Sequence, residues 1–155
     1  VCFPYDDLDR WRGAQHQVEP YPPECLETVF GEMSEGIREG VKILEQAAAK
    51  IPETGRSQYM EQLAMARTFH CHFRSSYLQI RFIRRRTERI AAELLPILQE
   101  EITLAKLQLQ AVRTDSRIGF EASNHYYYTI NDLMEKVINC ECLIRKLTAD
   151  SPKSL

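Results

Sequence analysis

Residues 115–129, DSRIGFEASNHYYYT, carry the densest group of side chains able to do chemistry in this 155-residue chain. Two carboxylates, Asp115 and Glu121, share one connection with Arg117, Asn124, His125 and the run Tyr126, Tyr127, Tyr128. Paired carboxylates are what glycoside hydrolysis needs, about 5–5.5 Å apart for retention and about 6.5–9.5 Å for inversion. If 125–129 is locally extended, Tyr126 and Tyr128 face one side while His125 and Tyr127 face the other. Two rings with polar neighbours would then rim a small pocket. The same residues also have a structural reading. Asp115 can bond the loop backbone, Arg117 can pair with Glu121, Gly119 can supply a positive φ, and the tyrosines can plug the end of the fold with their hydroxyls outward. The candidates for ligand binding or domain contact are therefore Arg117, Glu121, Asn124, His125, Tyr126 and Tyr128. No catalytic residue is assigned.

Elsewhere the chemistry is sparse. The chain contains no P-loop, dinucleotide fingerprint, nucleophile elbow or H-E-x-x-H. Asp6, Asp7 and Asp9 lack the Gly turn and closing Glu of a calcium loop. His70 and His72 point to nearly opposite sides of one helix, so no metal ligand set is assigned and no cofactor is expected. The five cysteines, Cys2, Cys25, Cys71, Cys140 and Cys142, form no C-x-x-C and no even framework, and read as small buried hydrophobes. Arg81, Arg84, Arg85, Arg86 and Arg89 are locally basic, but the net charge is −2 and no aromatic platform accompanies them. Arginines at a helix C-terminus also favour its dipole, so neither nucleic acid nor an acidic membrane is an expected partner.

Four helical patterns must position these residues. Residues 1–22 are an extended lead-in, interrupted by Pro4, Pro20 and Pro22 and rich in aromatic area from Phe3, Tyr5, Trp11 and Tyr21. A lead-in of this kind is expected to lie across the bundle or across a preceding domain. The first helix, about 23–51, has the stripe Leu26, Phe30, Met33, Ile37, Val41, Leu44, with Gly36 and Gly40 beside it as points of close helix approach. The second, 57–85, presents Leu63, Ala66, His70, Phe73, Tyr77, Ile80 and Arg84, flanked by Arg67, Arg74 and Arg81 at seven-residue spacing. In it, His70 reads as a hydrogen-bonded core histidine. The third, 87–114, is apolar over a wide surface and contains Pro96. Its Glu101 falls near the core side, and a buried carboxylate needs a partner, so it is expected to pair with Arg67 or Arg74.

The fourth helix, 130–147, starts at Thr129 and Asp132, a hydroxyl and a first-turn carboxylate placed to cap it. Its face is Ile130, Leu133, Val137, Cys140, Ile144, Leu147. A tail at 149–155 is expected to fray. Short first and second connections require antiparallel neighbours. The expected fold class is all-α: an up-down four-helix bundle with an extended N-terminal lead-in and a long connection between the third and fourth helices.

The lead-in FPYDDLDRWRG with YPPE, the segment EEITLAK, and above all DSRIGFEASNHYYYT followed by DLMEKVINCE resemble the C-terminal helical region of large bacterial, Bacteroides-type glycan-degradation proteins. The central parts of those proteins are similar to glycoside hydrolases of the hexosaminidase and α-glucuronidase type. The resemblance implies a helical domain that is itself non-catalytic, with the reacting acids on a barrel domain outside this sequence. The start at Val1 fits a processed or excised piece. The partner it implies is a preceding domain of the same polypeptide, with carbohydrate nearby. The competing expectation is a free-standing bundle that acts as an interaction or homodimerisation module, through the wide face of the third helix or the aromatic lead-in.

Overall fold

The computed structural model describes residues 22–86, 91–121 and 126–149. Residues 1–21, 87–90, 122–125 and 150–155 lie outside them, so the expected lead-in and tail are not described beyond Pro22 and Ala149, the latter the last residue of the fourth helix. The described residues form an all-α bundle of four helices: α1 Pro23–Ala47, α2 Arg56–Arg85, α3 Ala91–Thr114 and α4 Ile130–Ala149. Pro23 begins α1, where a missing N–H costs nothing. Single turns of 3₁₀ helix at Ala48–Lys50 and Glu53–Gly55 make the connection to α2, so the first helix ends before residue 51. Helix α3 runs through Pro96. The described part of the long connection has secondary structure of its own. A 3₁₀ turn, Ser116–Gly119, leads into β1 (Phe120–Glu121), which pairs antiparallel with β2 (Tyr126–Tyr127).

The two seams of α2 differ in kind. Toward α1 the contacts are aromatic and ionic. Phe30 packs on Phe73 with ring centroids 6.1 Å apart, and Tyr59 donates its hydroxyl proton to the Leu44 carbonyl at 2.9 Å. Arg67 pairs with Glu45 at 2.7 Å, Arg74 reaches Glu35 at 3.5 Å, and Arg84 pairs with Glu27 and Glu24. Partner numbers fall along α2 as they rise along α1, so the two helices run antiparallel. The close approach is at Gly31, where a Cβ would meet the Tyr77 ring at 3.3 Å. Gly36 and Gly40, the positions expected from sequence, have nothing within 4 Å of a would-be Cβ. The more exposed of these pairs, Arg67–Glu45 above all, contributes little stability.

Toward α3 and α4 the seam of α2 is built from Thr68, Cys71, Ser75 and Leu78, all buried. Cys71 and Leu78 join Ile97 and Leu104 of α3 in one apolar cluster. Ala105 and Val112 of α3 meet Leu133 of α4 in a second, closed by Tyr128 and Val137. The stripe expected from sequence, through His70, Phe73 and Tyr77, is mainly the α1 seam. The face that holds the centre of the bundle consists of small and polar residues spaced by three and four.

Thr129 and Asp132 form a reciprocal cap at the start of α4. The Thr129 hydroxyl accepts from the Asp132 amide at 3.3 Å, and the Asp132 carboxylate accepts from the Thr129 amide at 3.1 Å and its hydroxyl at 2.6 Å. Ile130, placed on the core face by periodicity, is 39 % exposed and belongs to the outer side of α4.

Candidate functional site

The polar centre of the molecule is Glu101, only 4 % exposed, on α3. Its partner is Lys136 of α4, whose Nζ lies 2.6 Å from a carboxylate oxygen, and the Ser75 hydroxyl of α2 donates at 3.1 Å to both oxygens. This corrects the expectation that Arg67 or Arg74 would neutralise Glu101. Arg67 is engaged by Glu45, and Arg74 makes a two-pronged contact with Glu100 at 2.6 and 3.1 Å. The arginine line lies on the outer flank of α2, one position along from the serine that faces α3. Burial pushes the Glu101 carboxyl up from its ordinary value, while Lys136 and Ser75 pull it down.

Ser75 is saturated. Its single proton goes to Glu101, and it accepts from Gln79 Nε2 at 3.0 Å and from Lys136 Nζ at 2.6 Å. A serine beside a lysine is also the pairing used by some hydrolases. In that chemistry the lysine must be a free amine that takes the serine proton. Here Lys136 is a donor to both Ser75 and Glu101, and Ser75 spends its proton on the carboxylate. The arrangement joins three helices and does not activate a nucleophile. Nor do the nearby thiols supply one: burial pushes Cys71 and Cys140 each up to about 11.

A cavity of about 10 Å³ adjoins this cluster, lined by Cys71, His72 and Ser75 of α2, Leu104, Ala105 and Gln108 of α3, Leu133 and Lys136 of α4, and Tyr128. That volume admits about one water molecule and no sugar ring. Tyr128 closes it. Its hydroxyl and His72 Nδ1 share a hydrogen bond of 2.5 Å, and the two rings meet edge-on with centroids 5.9 Å apart. The Tyr128 hydroxyl therefore points into the bundle, contrary to the expectation that the tyrosines would turn their hydroxyls outward. His72, not His70, is the histidine bonded into the interior, although periodicity favoured His70.

Of the other candidates, Arg117 is held by Asp115 through Nη2 at 2.6 Å and Nε at 2.9 Å, with its side chain 77 % exposed. The 3₁₀ turn folds these two charges together two residues apart. The backbone of Glu121 and Tyr126 is paired across the hairpin. Asn124 and His125 lie outside the described residues. The structure thus joins Tyr128 to His72, Lys136, Ser75 and Glu101, of which sequence reasoning had singled out only Tyr128 and Glu101 as site or structural residues. Among the described residues no group of three His, Cys, Asp or Glu side chains is placed to hold a metal ion, and no helix is long and apolar enough to cross a membrane.

The histidine gives a pH dependence. Burial and the Lys136 charge hold His72 below its ordinary 6.5. In the unfolded chain it protonates as pH falls past 6.5, and in the folded one it resists until lower pH. Its contribution to stability is therefore present above 6.5 and lost as pH falls through the lowered folded value. His70 acts in the same sense, and Glu101, with its raised value, in the opposite one. Comparison with His72→Gln isolates the term, because the other groups are common to both. Urea midpoints should differ more at pH 7.5 than at pH 5; a constant gap would contradict the assignment.

Comparison of the chain with family models, with curated proteins and with solved structures finds no match.

Proposed function

We propose that this chain is a non-catalytic helical domain of a larger, glycoside hydrolase-like bacterial protein. In this reading it packs against a preceding domain of the same polypeptide and helps complete that domain's substrate cleft. The observation that carries the reading is the outer face of α4. Ile130, Met134 and Ile138, at i, i+4 and i+8, are 39, 50 and 62 % exposed and form one apolar stripe that starts where the 115–129 connection ends. The interior supports a passive role, since Glu101, Lys136 and Ser75 are spent on one another and the cavity beside them is the size of a water molecule. Arg117, Glu121, Asn124, His125 and Tyr126, in the connection that leads into the stripe, would shape or meet the neighbouring domain. Carbohydrate, in this view, is contacted at the join and not inside the bundle.

A second reading, a free-standing interaction module, rests on the same stripe. Helix α3 no longer supplies its surface, because Leu107 is the one large apolar side chain exposed among the described residues of that helix. A second copy of the chain would then cover α4. Reading the coding sequence that precedes Val1 separates the two. A long upstream β/α pattern of the barrel type is the expected result, and a start codon immediately before Val1 would contradict the domain reading.

A further inference from the structure

Two buried side chains at the α2–α3 seam keep polar atoms with no protein partner. Gln108 is 3 % exposed, and neither its Oε1 nor its Nε2 is hydrogen-bonded; Thr68, 8 % exposed, has its Oγ1 in the same condition. They are not independent. Ser75 of α2 bonds Glu101 of α3, and the two helices run antiparallel, as the Arg74–Glu100 contact and the pairing of Arg85 with Glu93 also require. Seven residues back along α2 from Ser75 is Thr68, and seven forward along α3 from Glu101 is Gln108. Each step is about two turns, or roughly 10.5 Å. Thr68 and Gln108 therefore stand opposite each other in the same register as the Ser75–Glu101 contact.

The cavity meets this line at Gln108, and Thr68 stands one turn of α2 beyond its wall. Cys71, His72 and Ser75, which line it, continue the face of α2 that Thr68 begins, and Gln108 is part of its wall. Its volume of about 10 Å³ reaches the threshold for one water, which needs two to four polar partners. A carboxamide offers a donor and an acceptor side by side, and a hydroxyl offers either. The guest that satisfies both must itself donate and accept, be neutral, and be no larger than the space.

We propose that Thr68 and Gln108 hold one long-lived internal water between α2 and α3, donating to Gln108 Oε1 or Thr68 Oγ1 and accepting from Gln108 Nε2. It is the second polar bridge across this seam, two turns from Ser75–Glu101, and it keeps buried glutamine and threonine compatible with a packed bundle. The site is independent of any neighbouring domain.

The test is water-selective NMR on the intact chain. Cross-peaks of the sign expected for a bound water, with residence far longer than surface hydration, should appear at the Gln108 side-chain amide. They should be lost in Thr68→Val, which keeps the side-chain shape, and kept in Thr68→Ser. Oxygen-17 relaxation dispersion on the unsubstituted chain should independently count at least one long-lived water. Absence of the cross-peak in the unsubstituted chain would overturn the proposal, as would its persistence in Thr68→Val. So would a direct Thr68–Gln108 hydrogen bond with no slowly exchanging water.

Discussion

Replacing Lys136 with Met should lower the stability of the bundle by about 3–5 kcal/mol at neutral pH, the range seen when one member of a buried ion pair is removed. Glu101 is 4 % exposed and its carboxylate is held by Lys136 and the Ser75 hydroxyl. Without the ammonium, one neutral donor faces a buried negative charge. The carboxyl can escape by taking up a proton, which limits the loss and fixes its pH dependence. Burial already raises the Glu101 value above its ordinary 4.5, and losing Lys136 raises it further. A raised carboxyl favours the fold below 4.5 and loses that contribution as pH rises through the folded value. The deficit of Lys136→Met should therefore be small in acid and grow toward neutrality. The double variant Lys136→Met, Glu101→Leu should recover most of the stability, since an apolar pair of similar volume carries no desolvation cost. Arg74→Met should cost far less, about 0–1 kcal/mol, because its partners Glu100 and Glu35 are half exposed. Chemical denaturation of the four proteins at two pH values reads all of this. A loss for Lys136→Met below about 0.5 kcal/mol, the size of ordinary surface changes, would mean the pair is solvated.

Tyr128→Ala should be the second costly change, at about 2–4 kcal/mol. Full burial of an aromatic ring gives about 3–5 kcal/mol on truncation, and Tyr128 is half-buried. Its ring closes the cluster of Ala105, Val112 and Leu133, and its hydroxyl bonds His72. Tyr128→Phe keeps the ring and removes only that bond, for which about 1 kcal/mol is expected. The two variants divide the residue into packing and polar parts. If Tyr128→Ala shifted the denaturation midpoint no more than a surface substitution, Tyr128 would be a free ring at the bundle's end, open to a ligand.

The helices were legible because their punctuation is chemical. Pro23 opens α1, the segment Pro52–Gly55 breaks it from α2, and Thr129 with Asp132 starts α4. The core of α2 was legible only in part, through Leu63 and Ile80 of the expected stripe, which are buried. Thr68, His72 and Ser75 share a face with Cys71 but are polar, so periodicity favours the aromatic seam facing α1. The partner of Glu101 is hidden from the sequence for a related reason. A pattern within one helix shows which side a charge occupies, but not which of two neighbouring helices supplies the counter-charge. Arg67 and Arg74 stood in the sequence as an obvious cationic line, while Lys136, lying between Glu135 and Val137, carried no signal of burial. Helical spacing favours Gly36 and Gly40 over Gly31, because the spacing of glycines does not reveal where a tyrosine of the next helix lies. In the 115–129 connection, the charges and rings were visible as a group. Their division, with Arg117 turned to Asp115 and Tyr128 turned inward to His72, depends on a 3₁₀ turn and a two-residue hairpin that composition does not predict.

The central claim is that α4 presents its outer stripe to a neighbouring domain of the same polypeptide. Hydroxyl-radical footprinting of the chain alone and within the full polypeptide encoded with it tests this most directly. Met134 and Ile138, 50 and 62 % exposed, should label readily in the isolated chain and several-fold less in the longer protein. Equal labelling of both side chains in the two proteins would contradict the claim.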